Sequence, residues 1–177
     1  MEETSAGAHI PLLSVIGSGL TQPGDALYAL AEQTGQLLAR QGWGVVCGGR
    51  AGVMEAVCKG AAAGWPTGVR IGYLPGPDSA GANAYLNLIL PTGLGEARNA
   101  LVVRAGKGVI ALGGGAGTLT EMGFAVKFSK PLFLLSGYGG ASAQWAPQPP
   151  AFIPAERIHS FSTVQALENK LAALSRV

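Results

Sequence analysis

Short apolar runs alternate along this chain with longer segments in which apolar residues recur at helical spacing. Pro11 to Gly17 (PLLSVIG), Gly108 to Leu112 (GVIAL) and Pro131 to Leu135 (PLFLL) are apolar almost throughout, not only at every second residue. Strands of that kind belong in a sheet that helices cover on both faces. Because helical segments separate them, the pattern predicts an α/β fold with a doubly wound, mostly parallel sheet in three α/β/α layers.

The length of 177 residues fits a single domain, so we expect residues 1–177 to form one Rossmann-like domain. Residues 1–9 are predicted to be flexible, and a stretch rich in Gly, Ala and Pro at 136–156 is predicted to be a surface loop. The other predicted strands are 44–47, 67–74, 84–90 and 158–161, and the predicted helices are 25–40, 53–63, 96–105, 118–128 and 164–174.

Charged residues are scarce. Asp, Glu, Lys and Arg make up 12% of the chain, about half the usual share. The resulting charge density is low for the surface of a soluble monomer, so the composition predicts a homo-oligomer. The net charge of +2 comes from scattered Lys and Arg residues. No basic run is long enough to follow a phosphate backbone, so nucleic-acid binding is not expected.

The sequence points to the cytoplasm. It begins Met-Glu-Glu, which is acidic where a signal peptide is positively charged, and no apolar run reaches membrane-spanning length. Cys47, Cys58, His9 and His159 do not have the spacing of a zinc site, so no metal is expected. Nothing in the sequence supports a disulfide between the two cysteines, since nothing points to secretion.

Two glycine-rich turns each follow a predicted strand and run into a helix. They are Gly48 to Gly52 (GGRAG) and Gly113 to Thr118 (GGGAGT). Glycines leave the backbone N–H groups uncovered, and a following helix adds free amides and the positive end of its dipole. A single turn of this kind is readily explained as a tight connection. The pair, with three consecutive glycines in the second, predicts an anion site whose usual guest is phosphate.

Two familiar nucleotide motifs are absent. A dinucleotide fingerprint requires G-x-G-x-x-G after the first strand, but the turn reads Gly17-Ser18-Gly19-Leu20-Thr21-Gln22. An acidic residue that would hold the ribose is also missing from the end of the second strand, so NAD is disfavoured. The P-loop motif G-x-x-x-x-G-K-[ST] does not occur either.

Three motifs in order resemble the Lonely Guy (LOG)-like superfamily. They are the segments 48–57 (GGRAGVMEAV), 95–99 (GEARN) and 114–121 (GGAGTLTE), and the resemblance runs from the first predicted strand to PLFLL. The pattern is most similar to the branch of small proteins that contains molybdenum-cofactor carriers. The resemblance implies a Rossmann-like homo-oligomer of two or four subunits.

For the LOG enzymes, the resemblance implies hydrolysis of the N-glycosidic bond of a nucleoside 5′-monophosphate. Their catalytic arginine and glutamate match Arg98 and Glu121. Four positions depart from the enzyme pattern. Gly113 stands where proline is expected, Glu96 and Asn99 stand where His and Lys usually flank the arginine, and Thr120 breaks an acidic pair. Phosphate binding is compatible with these changes, whereas the hydrolase activity is put in doubt.

Glu121 and Arg98 have structural alternatives to a role in the site. Thr118-Leu119-Thr120-Glu121 has the form of a capping box, with Thr118 as N-cap, and this is compatible with Glu121 binding ribose or activating water. Arg98 lies at the start of a predicted helix, a poor place for a cation, which favours contact with an anionic ligand or Glu121. Its alternative is a surface salt bridge, for instance to Glu96 or Asp25.

Arg50 is predicted either to reach the pocket or a partner subunit, or to be solvated. Asn99 either donates a hydrogen bond to a base or ribose or caps a helix. Arg98 and Glu121 are the candidate catalytic residues. The predicted ligand-binding residues are Gly17, Ser18, Gly48, Gly49, Arg50, Arg98, Asn99, Gly113, Gly114, Gly115, Ala116, Gly117, Thr118 and Glu121.

The favoured function is a protein that binds a phosphorylated, nucleotide-like molecule on the GGGAGT loop, in the manner of a molybdenum-cofactor carrier. The alternatives are a nucleoside 5′-monophosphate phosphoribohydrolase and, less favoured, a sensor of a nucleotide signal. The sequence requires no cofactor. A nucleotide, phosphate or molybdenum cofactor is the candidate ligand.

Overall fold

The computed structural model describes residues 10–174, and the predicted flexible segment 1–9 lies outside the described residues. The strands are β1 (Leu12–Gly17), β2 (Gly44–Cys47), β3 (Arg70–Leu74), β4 (Leu88–Pro91), β5 (Val109–Leu112), β6 (Leu132–Leu135) and β7 (Ile158–Phe161). The helices are α1 (Ala26–Arg40), α2 (Val53–Gly64), α3 (Asn99–Ala105), α4 (Ala116–Lys127), α5 (Gly140–Trp145) and α6 (Val164–Leu171).

All seven strands form one sheet in the order β4-β3-β2-β1-β5-β6-β7, and every pair of neighbours is parallel. The predicted fold class is therefore confirmed, with a sheet that is entirely parallel. The chain builds outward from β1 to one edge and then returns to place β5 on the other side of β1. The strand order thus reverses between β1 and β5, and ligands of such sheets bind outside the carboxyl ends of strands at this point.

Each face of the sheet carries its own apolar core. The side chains of Leu13 and Val15 pack on one side against α1, α2 and α6, while Ile16 packs on the other against α3, α4 and α5. Successive residues of a strand point to opposite faces, which explains why strands apolar at every position are needed here. Within residues 10–174, no helix is long and apolar enough to cross a membrane.

Strands β3 and β4 begin later than the apolar pattern predicts. Side chains form hydrogen bonds with the backbone groups near the start of each strand. The Asn87 side chain accepts from the N–H of Arg70 and donates to the carbonyl of Gly68. The guanidinium of Arg70 donates to the carbonyls of Tyr85 and Gly68. These side-chain bonds take the place of some backbone bonds of the sheet at the start of β3 and β4.

The segment 136–156 was predicted to be a loop, and this is wrong in its centre, where α5 forms at Gly140–Trp145. Two glycines with positive φ angles, Gly139 and Gly140, begin this helix, and the loop prediction was based on just such residues. The predicted helix 96–105 is likewise divided into a 3-10 turn, Gly95–Arg98, and α3.

Candidate functional site

A cleft of about 280 Å³ lies at the carboxyl ends of the central strands, where the strand order reverses. The end of β1 and the turn after it form one side, and the start of α4 forms the other. Between them lie Gly48 after β2 and the 3-10 turn that precedes α3. The lining residues are Ile16, Gly17, Ser18, Gly19, Leu20, Gly48, Met54, Glu96, Arg98, Asn99, Gly115, Gly117, Thr118 and Glu121.

The second glycine turn presents its amides to the cleft. Helix α4 begins at Ala116 with Gly115 as its N-cap, so the first amides of the helix have no partner within it. No hydrogen bond among residues 10–174 uses the N–H groups of Gly115, Ala116, Gly117 or Thr118. Gly115 and Gly117 are exposed and line the cleft. The arrangement is a helix N-terminus open to an anion.

The carbonyl groups of this turn are held on its far side by α5. The amide of Ala141 donates to the carbonyl of Gly114 at 2.8 Å, and that of Ser142 to the carbonyl of Gly113 at 3.2 Å. The Ser142 hydroxyl also accepts from the N–H of Gly113 at 2.8 Å and donates to the carbonyl of Leu135. These bonds fix the turn from behind, so its acceptors are satisfied and its remaining donors stay available.

Gly113 and Gly114 adopt φ angles of 66° and 89°, in the left-handed region that favours glycine. A Cβ on Gly114 would also collide with the Thr118 side chain, and one on Gly140 with the Gly114 backbone. The consecutive glycines are therefore explained by the backbone path and the close approach of α5. Gly115 and Gly117, by contrast, have open space where a Cβ would lie.

The predicted capping box at 118–121 is wrong. Because α4 begins at Ala116, Thr118 lies inside the first turn and is not the N-cap, and the cap has no side-chain hydrogen bond. Glu121 is consequently not occupied in closing the helix end. It lies one turn into α4, is only 7% exposed and lines the cleft.

Arg98 is also buried, with 5% of its surface exposed, and it faces Glu121. Its Nη1 lies 3.9 Å from Oε1 of Glu121, which is an ion pair by distance but too long for a hydrogen bond. Both Nε and Nη1 of Arg98 are buried without a hydrogen-bond partner. The predicted pairing with Glu121 is present, whereas the alternative of a surface salt bridge to Glu96 or Asp25 is wrong. A buried guanidinium with unused donors is costly unless an anion joins it.

Gly48 makes room for this guanidinium. A Cβ at position 48 would collide with Nη1 of Arg98 and lie 2.8 Å from its Cζ. The first glycine turn thus contributes to the cleft by leaving space beside β2 for the arginine. Gly17 is constrained differently, because a Cβ there would collide with the carbonyl of Leu112 in the neighbouring strand β5.

Burial raises the pKa of Glu121 to about 7. The charge of Arg98 acts in the opposite direction and favours the carboxylate, and the charge of Glu96 adds to the rise. A carboxyl group with a pKa near neutrality exchanges a proton readily at physiological pH. Glu121 therefore has the protonation chemistry of a general acid or base, next to a cation and a set of free amides.

The cleft brings together most of the predicted site. The predicted residues that line it are Gly17, Ser18, Gly48, Arg98, Asn99, Gly115, Gly117, Thr118 and Glu121. Gly49, Gly113, Gly114 and Ala116 do not line it but belong to the turns that shape it. Arg50 lines an adjoining cavity instead, together with Arg98.

Several lining residues were not among the predicted ones. Gly19 and Leu20 complete the turn after β1, and Glu96 precedes Arg98 in the 3-10 turn. Met54 is half-buried at the start of α2 and lines both the cleft and the adjoining cavity. The position of Gly19 and Leu20 after a central strand was a usable signal, whereas nothing in the sequence distinguishes Met54 from a core methionine.

The side chains behind β2 include two free thiols. Cys47 and Cys58 are both fully buried and form no disulfide, and their thiols are hydrogen-bonded with the Sγ atoms 3.7 Å apart. The hydrogen bond with Cys47 and burial raise the pKa of Cys58 well above its usual range. On the outer face of α2, Lys59 pairs with Glu32 at 3.0 Å and Glu55 accepts from the Tyr28 hydroxyl.

The sequence and the fold of the chain have counterparts in known proteins. The sequence profile of the SLOG cluster4 family matches residues 11–166. The chain belongs to the SLOG cluster4 family. This membership confirms the predicted LOG-like, Rossmann-type resemblance, and the match covers every strand and the whole cleft. An uncharacterized protein of Archaeoglobus fulgidus is 34% identical to this SLOG cluster4 chain over 118 residues, which cover 67% of this chain and 75% of the relative.

Solved structures share the fold of this SLOG cluster4 protein over nearly its whole length. The molybdenum cofactor binding protein of the phototrophic bacterium Rippkaea orientalis matches with a TM-score of 0.79 and 31% identity, covering 93% of this chain and 97% of that one. The molybdenum cofactor carrier protein of Chlamydomonas reinhardtii matches with a TM-score of 0.76 and 28% identity, covering 93% and 98%. The predicted similarity to the carrier branch is confirmed.

Proposed function

We propose that this protein binds a phosphorylated, nucleotide-like small molecule, with the phosphoryl group on the amides of the GGGAGT turn, as a molybdenum-cofactor carrier type of binding protein. The observation that carries the proposal is the guanidinium of Arg98. It is buried, keeps Nε and Nη1 without hydrogen-bond partners, and lines the same cleft as the free amides of α4. Such a donor set is complementary to a phosphate oxyanion.

Shape and chemistry of the cleft support a small ligand. Its volume of about 280 Å³ is close to the lower end of the range for small-molecule sites, roughly 300 Å³. Its donors come from one helix terminus and one buried arginine, not from a basic surface. We therefore propose a small molecule and not a nucleic acid as the partner.

Structural neighbours that bind or carry the molybdenum cofactor support the identity of the ligand class. The cofactor would be held through its phosphoryl group, for which the amides of Gly115 and Gly117 and the guanidinium of Arg98 provide donors. The residues present thus fit the phosphorylated end of this cargo. The same donors would accept the phosphate of a nucleotide.

The test uses two substitutions at Gly115, where there is open space for a side chain. Gly115→Asp places a carboxylate at the N-cap of α4, where it accepts from the helix amides and competes with an external anion. Because Asp is a favoured N-cap residue, we expect the variant to fold at least as well as the parent protein. Gly115→Ala keeps the amides free and is the matched control.

Calorimetric titration of AMP, with inorganic phosphate as a second probe, measures the outcome. We expect Gly115→Asp to weaken binding of both probes by at least about a hundredfold, since it replaces an attraction by a repulsion, and Gly115→Ala to change it by less than about threefold. Equal affinity of the Asp and Ala variants would contradict the proposal.

Glu121 favours one alternative, the nucleoside 5′-monophosphate phosphoribohydrolase. Its pKa near 7 and its place beside Arg98 would allow it to stabilise an oxocarbenium-like ribosyl centre and to activate water. The products would be free base and ribose 5-phosphate. Incubation with AMP and related monophosphates, followed by chromatography of the free base, tests this activity. The enzyme alternative requires turnover that Glu121→Gln abolishes, and turnover equal to a protein-free blank would reject it.

We also propose that copies of this chain associate, as a dimer or a tetramer, in the cytoplasm. The edge strand β4 leaves Leu88 and Ile89 exposed by 45% and 37%, and Leu94 beyond it by 53%. A second copy of the chain would cover this apolar edge, in line with the scarcity of charge. Native mass spectrometry gives the subunit number. A monomer at micromolar concentration would contradict the association, and Ile89→Lys is expected to reduce it.

A further inference from the structure

The cleft continues into a second cavity of about 310 Å³. Gly19, Leu20, Met54 and Arg98 line both spaces, so the two form one groove that passes over the buried arginine. One end of the groove is the start of α4. The other end is the first glycine turn, where Arg50 and Ala51 complete the lining.

The far end of the groove carries unneutralised positive charge. Arg50 is exposed, and the ion pairs of residues 10–174 are Lys59–Glu32 and Arg98–Glu121, neither of which involves it. Arg98 borders this cavity as well, with Nε and Nη1 buried and unpartnered. Two guanidinium groups thus border the second cavity, and one of them keeps two nitrogens without hydrogen-bond partners.

The backbone of the first glycine turn is arranged like that of the second. The side chain of Asn83 donates to the carbonyls of Gly49 and Arg50, and the N–H of Asn83 also donates to Gly49 at 2.9 Å. The acceptors of the turn are therefore satisfied away from the groove. No hydrogen bond among residues 10–174 uses the N–H groups of Arg50 and Ala51. Helix α2 then begins at Val53 and adds the positive end of its dipole.

The wall between the two ends is apolar. Leu20 is 89% exposed at the rim, and Met54 lies half-buried below it. An exposed leucine beside a flexible thioether is a suitable contact for a flat, uncharged ring system. The groove therefore has an anion-binding end, an apolar middle and a second cationic end.

We infer that the groove binds a ligand with two oxyanion groups and a planar ring, with the phosphate on the GGGAGT turn, the second oxyanion at Arg50 and the GGRAG turn, and the ring against Leu20 and Met54. The inference rests on the proposed function and specifies its ligand class further. A monophosphate would occupy only the first end, and the second anion adds charge-assisted hydrogen bonds to Arg50 and Arg98.

The experiment compares AMP with adenosine 3′,5′-bisphosphate, which differs by one phosphoryl group, in calorimetric titrations at constant ionic strength. We expect the bisphosphate to bind at least about tenfold more tightly to the parent protein. Arg50→Gln should remove this advantage, so that the variant binds the two probes with affinities within about twofold of each other. Arg40→Gln is the matched control, because Arg40 is an exposed arginine that lines a different cavity.

The outcomes separate this inference from the proposed function. Equal affinity of the two probes, or an equal loss of affinity in the Arg50 and Arg40 variants, would overturn the second subsite. The proposed function would still hold in that case if AMP binding is sensitive to Gly115→Asp. Bisphosphate binding that depends on Arg50 but not on position 115 would support the second subsite and reject the proposed function. If neither probe binds, both are overturned.

Discussion

The guanidinium of Arg98 occupies the space that a side chain at Gly48 would need. The glycine lies directly after β2, and the arginine lies 50 positions further along the chain at the end of a 3-10 turn. This contact places a cation within a cleft whose other wall is the start of α4. The absence of one methyl group beside β2 therefore determines where the buried charge lies.

Gly48→Ala tests this relationship. The added methyl group must displace the guanidinium, which is the far end of a flexible side chain, so we expect the free energy of unfolding to change by less than about 1 kcal/mol. Binding of AMP should weaken by at least about tenfold, since Arg98 leaves its position facing the amides. Urea denaturation and calorimetric titration measure the two effects.

Gly123→Ala provides the control for this glycine. Position 123 lies within α4, and a Cβ there would have open space. Alanine favours a helix over glycine, so we expect this variant to be more stable by roughly 0.5–1 kcal/mol, with unchanged binding. If Gly48→Ala is as stable and binds as well as Gly123→Ala, the steric account of Gly48 is wrong.

The pKa of Glu121 predicts a dependence of stability on pH. Its pKa is about 7 in the folded protein against an ordinary value of 4.5. The folded state therefore holds this proton more tightly than the unfolded state, and the free energy of unfolding falls as the pH rises from about 4.5 to about 7. The loss from this group amounts to at most about 3 kcal/mol and is complete above pH 7.

Glu121→Gln removes the titrating group and should flatten this part of the profile, while the stability at pH 8 rises relative to the parent protein. Urea denaturation at several pH values between 4.5 and 8, without ligand, provides the comparison. Burial of His159 lowers its pKa and gives a contribution of the opposite sign, so the comparison with the variant isolates Glu121. A variant profile with the same slope as the parent would contradict the burial of an ionisable Glu121.

Ser142 lies outside the cleft, but its replacement is expected to affect both stability and phosphate binding. Its hydroxyl is fully buried and bonds to both Gly113 and Leu135. Ser142→Ala leaves a buried N–H and a carbonyl without this partner, so we expect a loss of about 1–3 kcal/mol in the free energy of unfolding. Phosphate binding should weaken as well, because the turn is less firmly held.

Ser162→Ala is the matched control, since Ser162 is exposed. Its expected effect on stability is within about 0.5 kcal/mol. Thermal and urea unfolding of both variants measure the difference, and a loss of stability at position 162 equal to that at 142 would refute the argument.

The two cysteines predict the reactivity of the native protein towards thiol reagents. Cys47 and Cys58 are both 0% exposed, and burial together with their mutual hydrogen bond keeps Cys58 protonated. We expect no reaction of the native protein with an aromatic disulfide reagent within minutes. In urea, where the chain unfolds, we expect two thiols per chain to react. Rapid labelling of the folded protein would mean that the region behind β2 opens readily.

The apolar strands predicted the sheet well because strands buried on both faces have few alternatives. β2 and β7 have the predicted bounds, and helices separate all consecutive strands except β3 and β4, so the parallel direction of the other strands follows from these helices. Strand ends were harder to predict. The side chains of Arg70 and Asn87 decide where β3 and β4 begin, through contacts between residues up to 19 positions apart, which no local pattern contains.

The site was predictable where glycine and charge patterns are local, as in GGGAGT and around Arg98. Its depth was not. That Arg98 is buried, that Glu121 is free of a capping role and that Met54 faces a cavity all depend on how separate segments pack. The interruption of the 136–156 segment by α5 has the same origin, since its amides find acceptors in a turn that lies some 27 residues earlier.

The amide–carbonyl bonds between α5 and the GGGAGT turn have a consequence for how a ligand would be received. A turn braced in this way has little freedom to lose when an anion arrives, so ordering the backbone would subtract little from the affinity. Crystals grown with and without phosphate should then show nearly superimposable turns. Substitutions in α5 are therefore expected to change the affinity for the ligand, although no residue of α5 lines the cleft.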